Sequence, residues 1–199
     1  MAAPGTVRRR RLAPEARRAE LVDAAIEVLR MTPPNLVRIE DVTAAAGASK
    51  ATFYVYFSSW DDLVAAARER VQSDYMAGVR ERFAGAVDRD SWWAALRDEV
   101  RHFVEYQVEL GPLHDALFHG PGHVEPRGAS GADAIGVLLD AGRAAGAFRA
   151  LDTPTVSTLL FQLIHGAADA VRAGADLTRV LAALDDAVWR WLAPEPVPE

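Results

Sequence analysis

Residues 42–57, near the N-terminus, constrain most strongly what this chain can fold into. Gly47 lies inside this stretch, and glycine readily takes the left-handed backbone conformation that lets a chain bend sharply between two helices. Residues 38–46 before it carry Ile39, Val42 and Ala46 on one side of a helix. After it, Ser49 is a residue type that caps a helix start. The pattern predicts two short helices about a tight turn.

The second of these helices has a buried side and an outward side. Phe53 and Phe57 are four residues apart and can face a small core together. The neighbouring side chains are left to point outward or sideways, and they are Lys50, Ala51, Thr52, Tyr54, Val55 and Tyr56. Most of these can contact phosphate groups or base edges. The stretch is therefore predicted to be a DNA-binding helix-turn-helix.

The same residues resemble the signature of the TetR (tetracycline repressor) family. That signature runs Ile-Ala-x-x-Ala-Gly-Val-Ser-x-x-Thr-Leu-Tyr-x-Tyr-Phe, and residues 42–57 here read Val-Thr-Ala-Ala-Ala-Gly-Ala-Ser-Lys-Ala-Thr-Phe-Tyr-Val-Tyr-Phe. The resemblance covers roughly the first third of the chain. It implies an all-α protein, in which an N-terminal three-helix DNA-binding domain sits on a larger C-terminal helical bundle. About nine helices are expected in total.

The resemblance also implies which side chains contact DNA. Positions that face bases in relatives are occupied here by Lys50, Ala51, Thr52, Val55 and Tyr56. Positions that face phosphate are occupied by Arg38 and Tyr54, and the capping Ser49 belongs to the same surface. Arg38 stands where relatives often have a capping threonine, and Trp60 stands where they commonly have a lysine.

Charge is distributed unevenly along the chain. The formal net charge is -6, but residues 1–60 carry +3 and residues 61–199 carry -9. Clustering positive charge at the helix-turn-helix end attracts phosphate without making the whole protein bind polyanions. Residues 8–11 are four consecutive arginines within residues 1–12, which are expected to form a disordered basic arm. Either they are a solvated tail, or they contact the DNA backbone or minor groove.

Helical periodicity continues to near the C-terminus. It predicts helices over residues 14–30, 38–46, 50–57, 59–83, 91–110, 113–119, 132–145, 155–172 and 176–192, with a Gly- and Pro-rich loop over 120–131. We divide the chain into the basic arm (1–12), a DNA-binding domain (13–58), a ligand-binding and dimerisation domain (59–193) and a tail (194–199).

Aromatic and histidine side chains are frequent in the C-terminal part. The resemblance implies a cavity between the middle helices that holds a small organic effector, and an apolar cavity with a few polar groups suits such a molecule. The alternative is that aromatic residues at helical spacing simply fill the core. The residues predicted to line the cavity are Trp93, Phe103, Tyr106, His114, Phe118, Phe148, Phe161 and His165.

The last two predicted helices carry more apolar surface than one face of a monomer needs. They form either a homodimer interface or plain core, and the pattern alone does not separate the two. The residues predicted for the interface are Leu159, Leu163, Gly166, Ala167, Leu181, Leu184, Val188 and Trp191. A dimer with two recognition helices would bind a near-palindromic double-stranded operator.

Several other functions have no support in the sequence. The chain has no cysteine, which excludes disulfides, thiolate metal sites and cysteine nucleophiles. The spacing of its five histidines fits no standard metal site, so we expect no metal and no cofactor. There is no catalytic signature, membrane span or targeting signal, which indicates a cytoplasmic regulator. Two rivals remain: a small-molecule-binding helical bundle with a degenerate DNA head, and a helical enzyme.

Overall fold

The computed structural model describes residues 13–120 and 131–194, and within these ranges the chain is helical without strands. The helices are α1 (Pro14–Met31), α2 (Ile39–Ala45), α3 (Lys50–Tyr56), α4 (Trp60–Phe83), α5 (Arg89–Glu109), α6 (Pro112–Phe118), α7 (Gly131–Ala144), α8 (Thr153–Arg172) and α9 (Leu177–Leu192). A single 3-10 turn, Pro34–Leu36, precedes α2. The all-α prediction with about nine helices is confirmed. The predicted basic arm, most of the predicted loop and nearly all of the tail lie outside the described residues.

Helices α2 and α3 meet at the predicted glycine bend. Gly47 has a φ of 55°, which lies in the left-handed region. Ser49 caps α3, since its hydroxyl accepts a hydrogen bond of 3.1 Å from the backbone N–H of Thr52. Val42 and Phe53 are both fully buried. The sequence therefore forms the predicted helix-turn-helix.

Two side-chain hydrogen bonds cap the start of helix α4. The Ser59 hydroxyl accepts from the backbone N–H of Asp62 at 3.1 Å, and the Asp62 carboxylate accepts from the backbone N–H of Ser58 at 2.9 Å. The helix then continues for 24 residues. It starts in the helix-turn-helix region and ends among the C-terminal helices.

The core around the helix-turn-helix, which we call the head core, also includes a later helix. Leu21, Phe53 and Leu63 are fully buried in it, from α1, α3 and α4. Leu113 and Leu117 of α6 are also fully buried in the same cluster. Helix α6 therefore packs against the DNA-binding module, although the chain reaches it only after α5.

The remaining helices enclose two further core clusters. One contains Val79, Trp93, Phe148 and Leu160, and the other contains Val104 with residues of α8 and α9. Helix α8 packs against α5, α7 and α9 and so lies at the centre of this region. None of the helices in the described ranges combines the length and the apolar composition needed to cross a bilayer.

Two helices start two residues earlier than the sequence predicted, and the other starts agree to within one residue. Helix α5 begins at Arg89, because the Asp88 carboxylate accepts from the backbone N–H of Ser91 at 2.8 Å and caps the helix two residues earlier than predicted. Helix α8 begins at Thr153, since Pro154 fits the first turn, where no backbone donor is required.

Candidate nucleic-acid interface and ligand cavity

The outward surface of α3 is the candidate nucleic-acid interface. Lys50, Ala51, Tyr54 and Val55 are exposed, with 54% of Tyr54 and 74% of Val55 accessible. Thr52 is half-buried, and Tyr56 packs partly against the head core. Phe53 and Phe57 hold the opposite side of the helix in that core, at 0% and 1% exposure. The buried phenylalanines thus fix which side chains a partner can reach.

Lys50 forms an ion pair across the turn. Its Nζ donates to Oε1 of Glu40 on α2 at 2.6 Å, and both side chains are more than half exposed. This hydrogen bond lowers the pKa of the Glu40 carboxyl and raises the pKa of the Lys50 ammonium. The candidate interface therefore carries a carboxylate that competes with any anionic partner for Lys50.

Arg38 and Trp60 differ from the residues that TetR-family relatives often carry at these positions. Each lies just before or at the start of a helix. Arg38 precedes α2 in extended backbone, and its N–H donates to the Asp41 carboxylate at 2.8 Å. Asp41 therefore caps the start of α2, where relatives often use a threonine, and the Arg38 side chain stays exposed. Trp60 opens α4 and packs half-buried against the head core.

A second candidate site is a cavity of about 130 Å³ between α4, α5, α7 and α8. Its wall is mainly apolar and draws on all three core clusters, including Val71, Phe83 and Val100. The structure brings six of the eight predicted ligand residues to this wall: Phe103, Tyr106, Phe118, Phe148, Phe161 and His165.

Trp93 and His114 are not brought to this wall. Trp93 is buried between Phe148 and Trp189, with ring centroids 5.2 and 4.5 Å away. His114 is fully buried on α6. Helical spacing indicated that these residues would be buried, but it does not distinguish core filling from the wall of a cavity.

Two hydrogen-bond acceptors on the cavity wall have no partner among the described residues: Oε1 of Gln107 and Nε2 of His165. Nδ1 of His165 lies 3.3 Å from the carbonyl oxygen of Phe161. A carbonyl only accepts, so Nδ1 carries the proton and Nε2 is left with its lone pair. Burial lowers the pKa of His165 to about 4, which keeps the ring neutral near pH 7. The cavity therefore offers two acceptors in apolar surroundings.

A buried carboxylate borders the same cavity. Glu99 accepts hydrogen bonds from the hydroxyl of Tyr75 and from Nε of Arg82, and Tyr75 also lines the cavity. Burial and the nearby Glu99 charge raise the pKa of Tyr75, which stays protonated. The sequence prediction missed Tyr75, Glu99 and Gln107. No motif signals them, since they meet only when α4 packs on α5.

Helix α6 connects the cavity with the head core. Phe118 lines the cavity, while Leu113 and Leu117 are fully buried in the head core. Nε of Arg68 on α4 donates to the Leu117 carbonyl at 2.7 Å. Helix α6 therefore contacts both the cavity and the residues that hold the helix-turn-helix.

The residues predicted for a dimer interface fall into two groups. Leu181, Leu184 and Val188 are 8%, 3% and 5% exposed and pack inside the protomer, as the plain-core alternative expects. Their apolar stripe faces α5 and α8. The other predicted residues are at least partly accessible: Leu159, Leu163, Gly166, Ala167 and Trp191.

Comparison with known proteins places the N-terminal module in a family. Residues 21–67, from α1 to the first half of α4, match the family described as bacterial regulatory proteins, tetR family. Over 73 residues, or 37% of this chain, the sequence is 33% identical to the HTH-type transcriptional regulator YvdT of Bacillus subtilis (strain 168). That match spans 37% of the length of this curated relative.

Solved structures are similar over most of the chain. One is a TetR-family transcriptional regulator from Pectobacterium atrosepticum, with a TM-score of 0.69, 21% identity and coverage of 90% of this chain and 94% of that one. Another is RolR in complex with resorcinol, with a TM-score of 0.67, 21% identity and coverage of 94% of this chain and 97% of that one. At these identities the similarity concerns the fold.

Proposed function

The chain carries the DNA-binding module of the tetR family on the fold of TetR-family regulators, and from this premise we propose that it is a ligand-responsive transcriptional repressor. It acts in the cytoplasm without catalysing a reaction, and a small organic effector releases it from a near-palindromic operator. The observation that carries this proposal is α6, which contributes both to the cavity wall and to the head core.

The proposed DNA contacts lie on and beside α3. Lys50, Tyr54 and Arg38 are exposed and able to reach phosphates, while Val55 is positioned for the methyl group of a thymine. Ala51 allows close approach to the groove. Ser49, Thr52 and Tyr56 complete the same surface. We keep residues 13–58 as the proposed DNA-binding domain and residues 59–193 as the proposed ligand-binding and dimerisation domain.

We propose that the second protomer packs on the outward side of α8. Leu159 is 49% exposed, and Gly166 is exposed about two turns further along the same side of α8. Leu163 lies between them and Ala167 follows Gly166, and both are half-buried. Gly166 and Ala167 are three and four residues after Leu163, the spacing of one helical stripe. Small residues at Gly166 and Ala167 let a second helix approach closely. Trp191, near the end of α9, extends this surface.

The proposed switch is mechanical. An effector that enlarges the cavity displaces Phe118, and α6 then shifts against the head core through Leu113 and Leu117. The two recognition helices of a dimer would no longer match successive major grooves. The effector can shift this equilibrium only by its difference in affinity for the two arrangements, and an efficient switch needs several kcal/mol.

The cavity also supports a class of effector. Its volume of about 130 Å³ is close to that of an engineered apolar cavity, of roughly 150 Å³, that binds benzene. Gln107 and His165 present acceptors, so a bound molecule should supply donors. We propose a single-ring aromatic that carries one or two hydroxyl groups. The similar fold of RolR was solved with resorcinol, a molecule of this kind.

Fluorescence anisotropy with a labelled duplex from upstream of the gene tests this function. We expect binding that exceeds binding to a scrambled duplex, weakens with rising salt and is reversed by resorcinol as the probe. Absence of specific, salt-dependent binding would favour the rival bundle with a degenerate head. Specific binding that resorcinol does not reverse would reject the proposed effector class alone.

A further inference from the structure

A cluster of two histidines and two aspartates lies where α6 meets α8, beyond the cavity and the nucleic-acid interface. His114 and Asp115 are on α6, His119 follows its end, and Asp169 is on α8. His114 is fully buried, and neither of its ring nitrogens has a hydrogen-bond partner among the described residues. A buried imidazole without partners is rare, so this one requires an explanation.

Some distances within the cluster are too long for a hydrogen bond but suit ligand atoms around a metal ion. Nε2 of His114 is 3.8 Å from Oδ1 of Asp169, and Nε2 of His119 is 3.1 Å from the same oxygen. The Asp169 oxygen is therefore the group common to both histidines. On the other side, one oxygen of Asp115 and one nitrogen of each histidine lie within 4.8 Å of one another. Two metal bonds of about 2.1 Å at a tetrahedral angle hold their ligand atoms about 3.4 Å apart.

Core packing alone does not account for His114. Its distances of 3.7 Å to Asp115 and 3.8 Å to Asp169 exceed a hydrogen bond. Both ring nitrogens are therefore buried without a hydrogen-bond partner among the described residues.

We propose that His114, His119 and Asp169 bind a divalent transition-metal ion, of which Zn²⁺ suits the donors best. Two imidazole nitrogens and one carboxylate oxygen are an established donor set for zinc, whereas Ca²⁺ and Mg²⁺ favour oxygen ligands. The linear spacing of the histidines did not reveal this set. Asp169 is 50 residues from His119 and joins it only in the fold.

With a metal ion bound, Asp115 would act as a positioning residue for His114, once its Oδ1 closes to hydrogen-bond distance from Nδ1. Its Oδ1 is 3.7 Å from Nδ1 of His114, on the side of the ring away from Asp169. Metal-binding histidines commonly donate their second N–H to a carboxylate, which fixes the orientation of the ring. NH2 of Arg172 holds Asp115 in place at 2.8 Å and compensates its charge.

The ion would connect α6 to α8. The His114 ring contacts Phe118 of the cavity wall, with centroids 5.2 Å apart, and α6 packs in the head core. Bound metal would therefore restrict the same helix that carries the proposed switch. This consequence for DNA affinity depends on the proposed function, whereas metal binding itself does not.

Metal titration of the full-length, untagged and chelator-treated protein tests the site. Zn²⁺ is measured by competition with a chromophoric indicator, and Co²⁺ by its visible absorption. We expect one ion per protomer, with affinity reduced at least about tenfold in His119→Ala and Asp169→Asn. Asp115→Asn should weaken binding less. His102→Ala removes an exposed histidine outside the cluster and should bind as the wild type does.

His119 is half exposed, so His119→Ala should fold even if a His114 variant does not. Zn²⁺ should raise the Tm of the wild type and of His102→Ala, but not that of His119→Ala. Wild-type affinity in both His119→Ala and Asp169→Asn, or a Tm that does not respond to Zn²⁺, would overturn the proposal. Neither readout involves DNA, so failure here leaves the regulatory proposal intact.

Discussion

The DNA head, comprising α1 to α3 with the first half of α4, and the cavity region use aromatic rings in opposite ways. In the head, Phe53 and Phe57 are buried with ring centroids 5.7 Å apart and fill the core. In the cavity region, Phe161 and Phe118 contact His165 at 4.2 and 5.4 Å and surround a space of about 130 Å³. Phenylalanine side chains thus fill the core of the head, whereas in the cavity region they surround a space that a ligand can occupy.

Polar groups follow the same division. Ser49, Ser59 and Asp41 satisfy backbone donors at the helix starts of the head. In the cavity, Gln107 and His165 have acceptors without partners among the described residues. The head therefore holds one arrangement of α3, whereas the cavity region has hydrogen-bonding capacity that a ligand can satisfy.

The largest expected difference is in the stability lost when a phenylalanine is replaced by alanine in each of the two regions. Phe53→Ala should destabilise the protein by about 3–5 kcal/mol, because it empties a fully buried position. Phe118→Ala should cost about 1 kcal/mol, since this half-buried ring already borders a cavity. Urea denaturation followed by circular dichroism measures both. Equal losses would contradict the contrast between a filled head core and an open cavity wall.

The second prediction is that acidification lowers the free energy of unfolding through the cavity region. Burial lowers the pKa of His165 to about 4, below its unfolded value of 6.5, so the unfolded chain binds its proton first. Stability from the neutral ring is complete above pH 6.5 and is lost as pH falls towards 4. Between pH 7 and 5 we expect a loss of about 1–2 kcal/mol from this residue.

Urea denaturation at several pH values checks this expectation. His114, whose pKa is also lowered, contributes in the same direction and remains in the test variant. His165→Gln should therefore show a shallower decrease than the wild type, while His102→Gln should decrease as steeply as the wild type. An unchanged slope in His165→Gln would mean that the ring is not buried as neutral imidazole.

A third test concerns the head surface. Replacing Lys50 and Thr52 together with alanine should weaken operator binding about tenfold to hundredfold. The side chains lie on the outward part of α3, so the thermal melt and the oligomeric state should stay as in the wild type. Fluorescence anisotropy over a salt series measures the effect. Wild-type affinity in this variant would refute the assigned recognition helix.

The smallest effect concerns Glu40. Its carboxylate holds the Lys50 ammonium at 2.6 Å, so Glu40→Gln frees the lysine and removes a negative charge from the interface. We expect operator affinity to rise about twofold to fivefold. Glu27→Gln removes the same charge from an exposed position on α1 and serves as the control. Equal gains in both variants would show that only net charge matters.

Much of the head could be predicted from the sequence because its signals are local. Gly47 demands a bend, Ser49 and Ser59 cap the helices that follow them, and Phe53 and Phe57 share one helical side. Each signal spans a few residues, so chain order alone carries it. The presence of α6 in the head core had no such signal, because it depends on packing between distant segments.

The C-terminal region was harder to predict, since its site forms between helices. An apolar stripe looks the same in a core and in an interface, and therefore Leu181, Leu184 and Val188 were assigned to a dimer surface although they pack inside the protomer. Helical periodicity also gives no information on voids. Gln107 and Glu99 reach the cavity wall only through the packing of α5 against its neighbours.

Pulsed electron paramagnetic resonance tests the central claim, that the cavity controls the spacing of two recognition helices, most directly. The chain has no cysteine, so Val55→Cys, at a site 74% exposed on α3, accepts one spin label per protomer. Without effector, we predict a single label distance compatible with half-sites about 34 Å apart. Saturating resorcinol should shift it by several ångströms. An unchanged distance, at resorcinol concentrations that release the unlabelled protein from the operator, would contradict the account.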